Sequence, residues 1–255
     1  MRIAIFQTKL VWESPKENRN LIQEYIDSCD NSYELLILPE MFTSGFTMNT
    51  ENVAEPMNGE TIQWMQFNAK NKNSAIIGSL VIVENGNYFN RLVFVFPNGE
   101  IEYYDKRHLF TLAGEEKVYK KGTEKLIVEY KGWRICPLVC YDLRFPVFSR
   151  NVENYDLLIY VANWPKPRIN AWNSLLKARA IENLSYVIGV NRIGLDANGM
   201  EYIGSSQVND YLGDEIINCK DEQGIFIVEI NKEEMQETRN KLNFLNDKDV
   251  FKIEL

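Results

Sequence analysis

The chain has 255 residues, 45% hydrophobic and 25% charged, long enough to bury a sizeable core; no Pro/Gly/Ser-rich linker or low-complexity run divides it, so one domain over 1–255 is expected. Lys and Arg number 28 against 36 Asp and Glu, a formal charge of -8 with the basic residues scattered, which argues against a nucleic-acid partner because phosphate binding needs a clustered positive surface. No stretch approaches the roughly 18 apolar residues of a membrane span, so a cytoplasmic protein with no membrane partner is expected.

In chain order, 3–7 reads as a short strand, with Gln7 and Lys9 interrupting any signal-peptide apolar region. A helix is predicted over 15–29, with Ser14 as N-cap, Pro15 at the first helical position and Glu17 at capping-box spacing. β-Branched and aromatic content predicts strands over 35–39, 75–83, 88–96, 101–105, 126–130, 133–139, 157–162, 186–192, 204–209 and 224–230. Asn85-Gly86, Asn98-Gly99 and Asn198-Gly199 mark hairpin turns. A second helix over 170–184 carries Trp172, Leu175, Leu176, Ala180 and Leu184 at helical spacing. Strand-helix-strand units mixed with hairpins make an α/β sandwich whose layer order the pattern leaves open. The segment 242–255 carries Phe244, Leu245, Val250, Phe251 and Ile253 with no strand partner of its own in the pattern.

The four cysteines, Cys29, Cys136, Cys140 and Cys219, are too few and scattered for a disulfide scaffold. If Cys136 and Cys140 share one strand, they lie about 13 Å apart along it, at roughly 3.3 Å per residue, and cannot bridge. One histidine and no Cys-x-x-Cys pair leave zinc short of its usual ligands, so no metal is expected.

Three element ends carry chemistry. Cys140 closes the apolar run 133–139 and is followed at once by a polar, helix-starting segment, a place suited to a nucleophile; Cys136 reads as an inert small hydrophobe. Glu40 ends the run 35–39, and with Met41 and Phe42 after it an apolar pocket is expected around a base. Lys106 follows the short strand 101–105; it fits either a charged surface turn or a cation that stabilises an oxyanion together with the Tyr141 N–H. His108, the sole imidazole, opens a Cys-His hydrolase reading, but its neighbours suit it better to lining or supporting a pocket. Arg144 and Arg168 are either surface charges or bidentate ligands for a substrate carboxylate.

Segments 38–46, 106–110, 113–115, 140–146, 162–165 and 177–183 resemble, in order and local sequence, the carbon-nitrogen hydrolase (nitrilase) superfamily, and within it the bacterial omega-amidase branch. The resemblance implies a four-layer αββα sandwich of the nitrilase type, with subunits pairing through a helix layer as a homodimer and 242–255 packing on the partner. It implies a catalytic triad of Glu40, Lys106 and Cys140, with Glu115, rather than Glu116, as a second active-site glutamate. Glu40, Cys140 and Asn163 would then stand at the ends of neighbouring strands, and Tyr141, Arg144, Asn163, Trp164, Arg168 and His108 would bind substrate. The implied reaction needs no cofactor: a Cys140 thioester forms from the omega-amide of a 2-oxo dicarboxylic acid monoamide, such as 2-oxoglutaramate or 2-oxosuccinamate, and ammonia leaves. Two other readings are an amidase of the same family acting on N-carbamoyl or aliphatic amides, and an inactive scaffold that binds a metabolite. The intact triad argues against the scaffold.

Overall fold

In the computed structural model, which describes residues 1–30 and 32–253, the first half of the chain forms β1 (Arg2–Gln7), α1 (Pro15–Ser28), β2 (Leu35–Ile37), α2 (Glu60–Lys72), β3 (Ala75–Glu84), β4 (Asn87–Val95) and β5 (Ile101–Asp105). The second half forms β6 (Val128–Tyr130), β7 (Trp133–Val139), α3 (Pro146–Ser149), β8 (Leu157–Ala162), α4 (Ile169–Asn183), β9 (Tyr186–Asn191) and β10 (Ile193–Leu195). It closes with β11 (Glu201–Ile203), β12 (Gln207–Asn209), β13 (Glu215–Asn218), β14 (Gly224–Glu229) and α5 (Lys232–Leu242).

Two six-stranded sheets result, in the orders β14-β1-β2-β3-β4-β5 and β13-β12-β9-β8-β7-β6, with β10-β11 as a separate hairpin. In each sheet three parallel strands lie at the centre, β1-β2-β3 and β7-β8-β9, and antiparallel strands extend them on both sides. Central parallel strands are covered on both faces, which is why β2 and β8 are unbroken buried runs without polar alternation.

Ile3, Ile5, Leu35 and Ile37 of the first sheet join Ile135, Leu157 and Ile159 of the second in one core between the sheets. On the outer face of the first sheet, Ala4, Phe6, Leu36 and Ile76 pack with Ile22 and Ile26 of α1 and Ile62, Met65 and Ala69 of α2. Helix α4 covers the second sheet through Trp172, Leu176 and Ala180. It lies so close that a Cβ at Gly189 of β9 would stand 2.4 Å from Leu176 Cδ1 and 2.5 Å from Trp172 Cζ2. The expected four-layer αββα sandwich is therefore the architecture found.

Several local expectations need correction. The Ser14 hydroxyl donates to Glu17 Oε1 (3.0 Å) and caps no backbone N–H, so the capping box is absent. Helices α2 and α5 escaped the pattern because α2 buries the polar Thr61 and Asn68 on its inner face and α5 buries only Met235. Strands β10, β11 and β13 have three or four residues each and little burial, too short for alternation to register. The tail is not wholly without a partner in its own chain. After α5 and a 3-10 turn at Phe244–Asp247, Lys248 Nζ donates to the Asn151 carbonyl (3.1 Å) and Ile253, partly buried, packs against the large hydrophobic core, while Val250 and Phe251 stay exposed. Glu254 and Leu255, the end of that predicted tail, lie outside the described residues. Among the described residues no helix is long and apolar enough to cross a membrane.

Candidate active site

Four chain segments end beside one another at the same edge of the sandwich. Glu40 follows β2, Lys106 follows β5, Cys140 follows β7 and Asn163 follows β8. Cys140 stands just past its strand, as the expected strand over 133–139 implies. β7 ends at Val139, and Cys140 opens a 3-10 turn, Cys140–Arg144, with φ of 45°. A left-handed backbone at a residue with a Cβ is sparsely populated and persists only where the surroundings over-determine it. Cys136 stays on the strand, fully buried, its thiol pushed up by that burial.

Glu40 is completely buried, but not among apolar groups as its flanking residues suggested. Its Oε1 accepts from Lys106 Nζ (2.9 Å) and Asn90 Nδ2 (2.8 Å), and its Oε2 accepts from the Asn163 backbone N–H (2.8 Å). Asn163 Nδ2 also donates to the Glu40 carbonyl (2.7 Å), which ties the ends of β2 and β8 together across the sheets. Glu115, equally buried, takes both of its oxygens to Lys106 Nζ (3.0 and 2.9 Å) and accepts from Asn90 Nδ2 (3.1 Å) and the Phe110 N–H. Glu116 is exposed.

One ammonium thus holds two carboxylates. Burial alone would lower the Lys106 pKa, but Glu115 and then Glu40 outweigh it and raise the pKa, so the side chain stays cationic. Burial, with the charge of Glu40 added, raises Glu115 in spite of Lys106. The Cys140 thiol is raised well above its ordinary value by burial and then by Glu40, a like charge for a thiolate, with Lys106 opposing. The residue is partly exposed toward the cavity, its sulfur 3.9 Å from the Asn163 carbonyl and near enough to the Glu40 carboxylate to feel its charge. Only Glu40 of those two groups can keep a proton. A thiol held protonated beside a carboxylate loses its proton as it attacks, rather than resting as a thiolate.

The group opens on a cavity of about 440 Å³. Glu40, Lys106, Cys140, Tyr141, Arg144, Asn163, Trp164 and Arg168 all line it, with Phe46 and Phe110 forming aromatic wall. Arg144 lies over the Trp164 ring and Arg168 over the Phe110 ring, each 5.1 Å from the centroid, and neither has an ion pair among the described residues. His108 is the exception: it is absent from the lining, stacked flat on Phe145 (3.8 Å) with Nδ1 2.7 Å from Asp142 Oδ1. That placement removes the imidazole from the Cys140 sulfur and with it the geometry a Cys-His pair requires.

Sequence reasoning missed Asn90, which holds both carboxylates, and Asp196, Asn198, Met200 and Tyr202, which the β10-β11 hairpin adds to the wall. A polar Asn interrupting the apolar strand run 88–96 was the available signal for the first. The second had only the turn at Asn198-Gly199.

The carbon-nitrogen hydrolase profile matches residues 2–240. The chain is similar to the omega-amidase YafV of Escherichia coli (strain K12), with 41% identity over 254 residues, covering 99% of this chain and 98% of that protein. It is also similar to the 2-oxoglutaramate amidase of Bacillus subtilis (strain 168), with 30% identity over 250 residues and 96% of each chain covered. Among solved structures, a CN-hydrolase superfamily protein of Xanthomonas campestris, which carries an arsenic adduct in its active site, superposes with a TM-score of 0.97 at 41% identity, covering 100% of this chain and 99% of the other.

Proposed function

The chain belongs to the carbon-nitrogen hydrolase family, and on that premise we propose that it is an omega-amidase cleaving the terminal amide of 2-oxo dicarboxylic acid monoamides such as 2-oxoglutaramate. Glu40 takes the thiol proton as Cys140 sulfur bonds to the amide carbon. Lys106, with the Tyr141 N–H, faces the negative charge that develops on the oxygen. The C–N bond then breaks, Glu40 returns the proton to the leaving nitrogen, and ammonia departs. Water activated by Glu40, with Glu115 orienting the reactants, hydrolyses the thioester to the free acid.

The observation that carries the substrate class is the pair of unneutralised guanidiniums, Arg144 and Arg168, on the wall of the Cys140 cavity. Asp196, the acid on the opposite hairpin, is spent within its own turn on the N–H groups of Asn198 and Met200 and on the Tyr202 hydroxyl. A net acidic protein repels an anion at long range, so local guanidinium must supply the attraction. Arg168, half-buried, is the better anchor than the exposed Arg144. The expected result is ammonia release from 2-oxoglutaramate far faster than from a neutral amide of equal length. Arg168→Met should raise KM for the acidic substrate by about 10- to 100-fold, the equivalent of roughly 1.5–3 kcal/mol for a charged hydrogen bond, and leave the neutral one nearly unchanged. Equal rates on both substrates would reject the omega-amidase reading and leave a general amidase of the family.

The proposal extends to a cytoplasmic, single-domain homodimer in which 242–255 meets the partner. Val250 and Phe251, exposed in the isolated chain, support it, since apolar side chains on a terminal segment gain by being covered. Light scattering at micromolar concentration should give twice the chain mass, and a monomer mass would count against the pairing.

A further inference from the structure

We propose that Asp142 is a positioning residue that locks the turn carrying Cys140 to the loop carrying Lys106, with His108 as the other half of the clamp. The inference rests on the roles given above to Cys140 and Lys106. Asp142 is fully buried and accepts from four donors. Oδ2 takes the Val139 N–H (3.0 Å) and the Tyr104 hydroxyl (2.8 Å); Oδ1 takes the His108 N–H (3.0 Å) and the His108 ring at Nδ1 (2.7 Å).

The bland alternative is a helix cap: a carboxylate at the third position of a turn reaching back to the N–H before it. That explains one bond of the four. The other three reach the stretch on either side of Lys106, which is more than thirty residues away in sequence. Tyr104 lies before the lysine and His108 after it, and the Tyr104 hydroxyl accepts the Arg107 N–H (3.0 Å) while donating to Asp142. Stacking on Phe145, at the other end of the nucleophile turn, fixes the His108 ring, so the imidazole is pinned to that turn through both its face and its edge.

Such a link has a purpose here. Cys140 sits in an unfavourable left-handed conformation that needs outside support, and the oxyanion must reach Lys106 on one side and the Tyr141 N–H on the other. Displacement of about 1 Å between such groups costs on the order of 10²-fold in rate. Asp142→Asn keeps the size but offers a donor where two donors already point, so it breaks one side of the clamp.

The test measures kcat and KM for 2-oxoglutaramate, the thermal melt, and the fraction of Cys140 labelled by iodoacetamide, read by mass spectrometry. Asp142→Asn should lower kcat per labelled Cys140 by about 10- to 100-fold with KM little changed. His108→Gln should lower kcat several-fold. The double variant should fall no lower than Asp142→Asn alone, because both remove one coupling. If Asp142→Asn does not fold, Tyr104→Phe and His108→Gln carry the test, each deleting a single partner of the carboxylate. Unchanged kcat per labelled thiol in the folded variants, or fully additive losses in the double variant, would overturn the clamp. Failure of the amidase assignment would show separately, as no ammonia release by the wild type.

Discussion

Replacing Cys140 with alanine is expected to abolish turnover, by roughly 10⁴-fold or more, and to remove an acyl adduct that rapid-quench mass spectrometry detects on the wild-type protein. The size of the loss follows from what the thiol does. Covalent attack divides amide cleavage into two steps of lower barrier, and among the described residues no second thiol lines the cavity to take over. Cys136 provides the internal control, because it is four residues away on β7, completely buried on the face of the second sheet that α4 covers, with its thiol pushed up by that burial. An adduct mapped to Cys136, or full activity in Cys140→Ala, would sink the assignment.

Glu40→Gln and Lys106→Met are expected to lose about 10² to 10³ or more in kcat, the typical worth of an electrostatic or proton-transfer partner in a water-excluded site, but for different reasons and with different side effects. Glutamine at 40 cannot hold the thiol proton. It also turns an N–H toward either the Lys106 ammonium or the Asn163 N–H, both of which now find an acceptor there. Methionine at 106 leaves Glu40 and Glu115 buried together with no cation between them. Removing one partner of a buried ion pair costs about 3–5 kcal/mol, so this variant should melt well below the wild type. The pH sign follows from linkage. Two buried carboxylates without the ammonium favour protonation, so a folded-state pKa rises above its unfolded value. The associated stability is present below the unfolded pKa and lost as pH rises through the folded one. Melts of Lys106→Met should therefore recover toward the wild type as pH falls into the carboxylate range. A deficit that did not shrink on acidification would refute the shared-ammonium account. Should His108→Asn abolish turnover while Glu40→Gln retained it, the Cys-His chemistry would replace the mechanism given above.

Much of the frame was readable from local sequence. The apolar runs ending at Glu40 and Cys140, the short strand before Lys106 and the Asn-Gly turns are consequences of a few adjacent side chains, and adjacency is what a sequence displays. The same locality explains why β7 and β8 were placed to the residue, while β10, β11 and β13, held chiefly by their partners, were not. The choice of Glu115 over Glu116 rested on resemblance alone at that stage. In the fold it is a matter of burial against Lys106, with one glutamate fully enclosed and its neighbour in solvent.

What only the tertiary structure decided are the contacts that join distant segments. Asn90 bonds to Glu40 across 50 residues and to Glu115 across 25, and Asn163 bonds to Glu40 across 123. Asp142 reads in sequence as an ordinary acid after a cysteine, and His108 as a tempting base. Folding joins them to each other and leaves Cys140 to Glu40. A buried polar group must find its partner wherever the chain brings one. The residue type announces that a partner is needed, but its identity depends on which strand ends the two sheets set side by side.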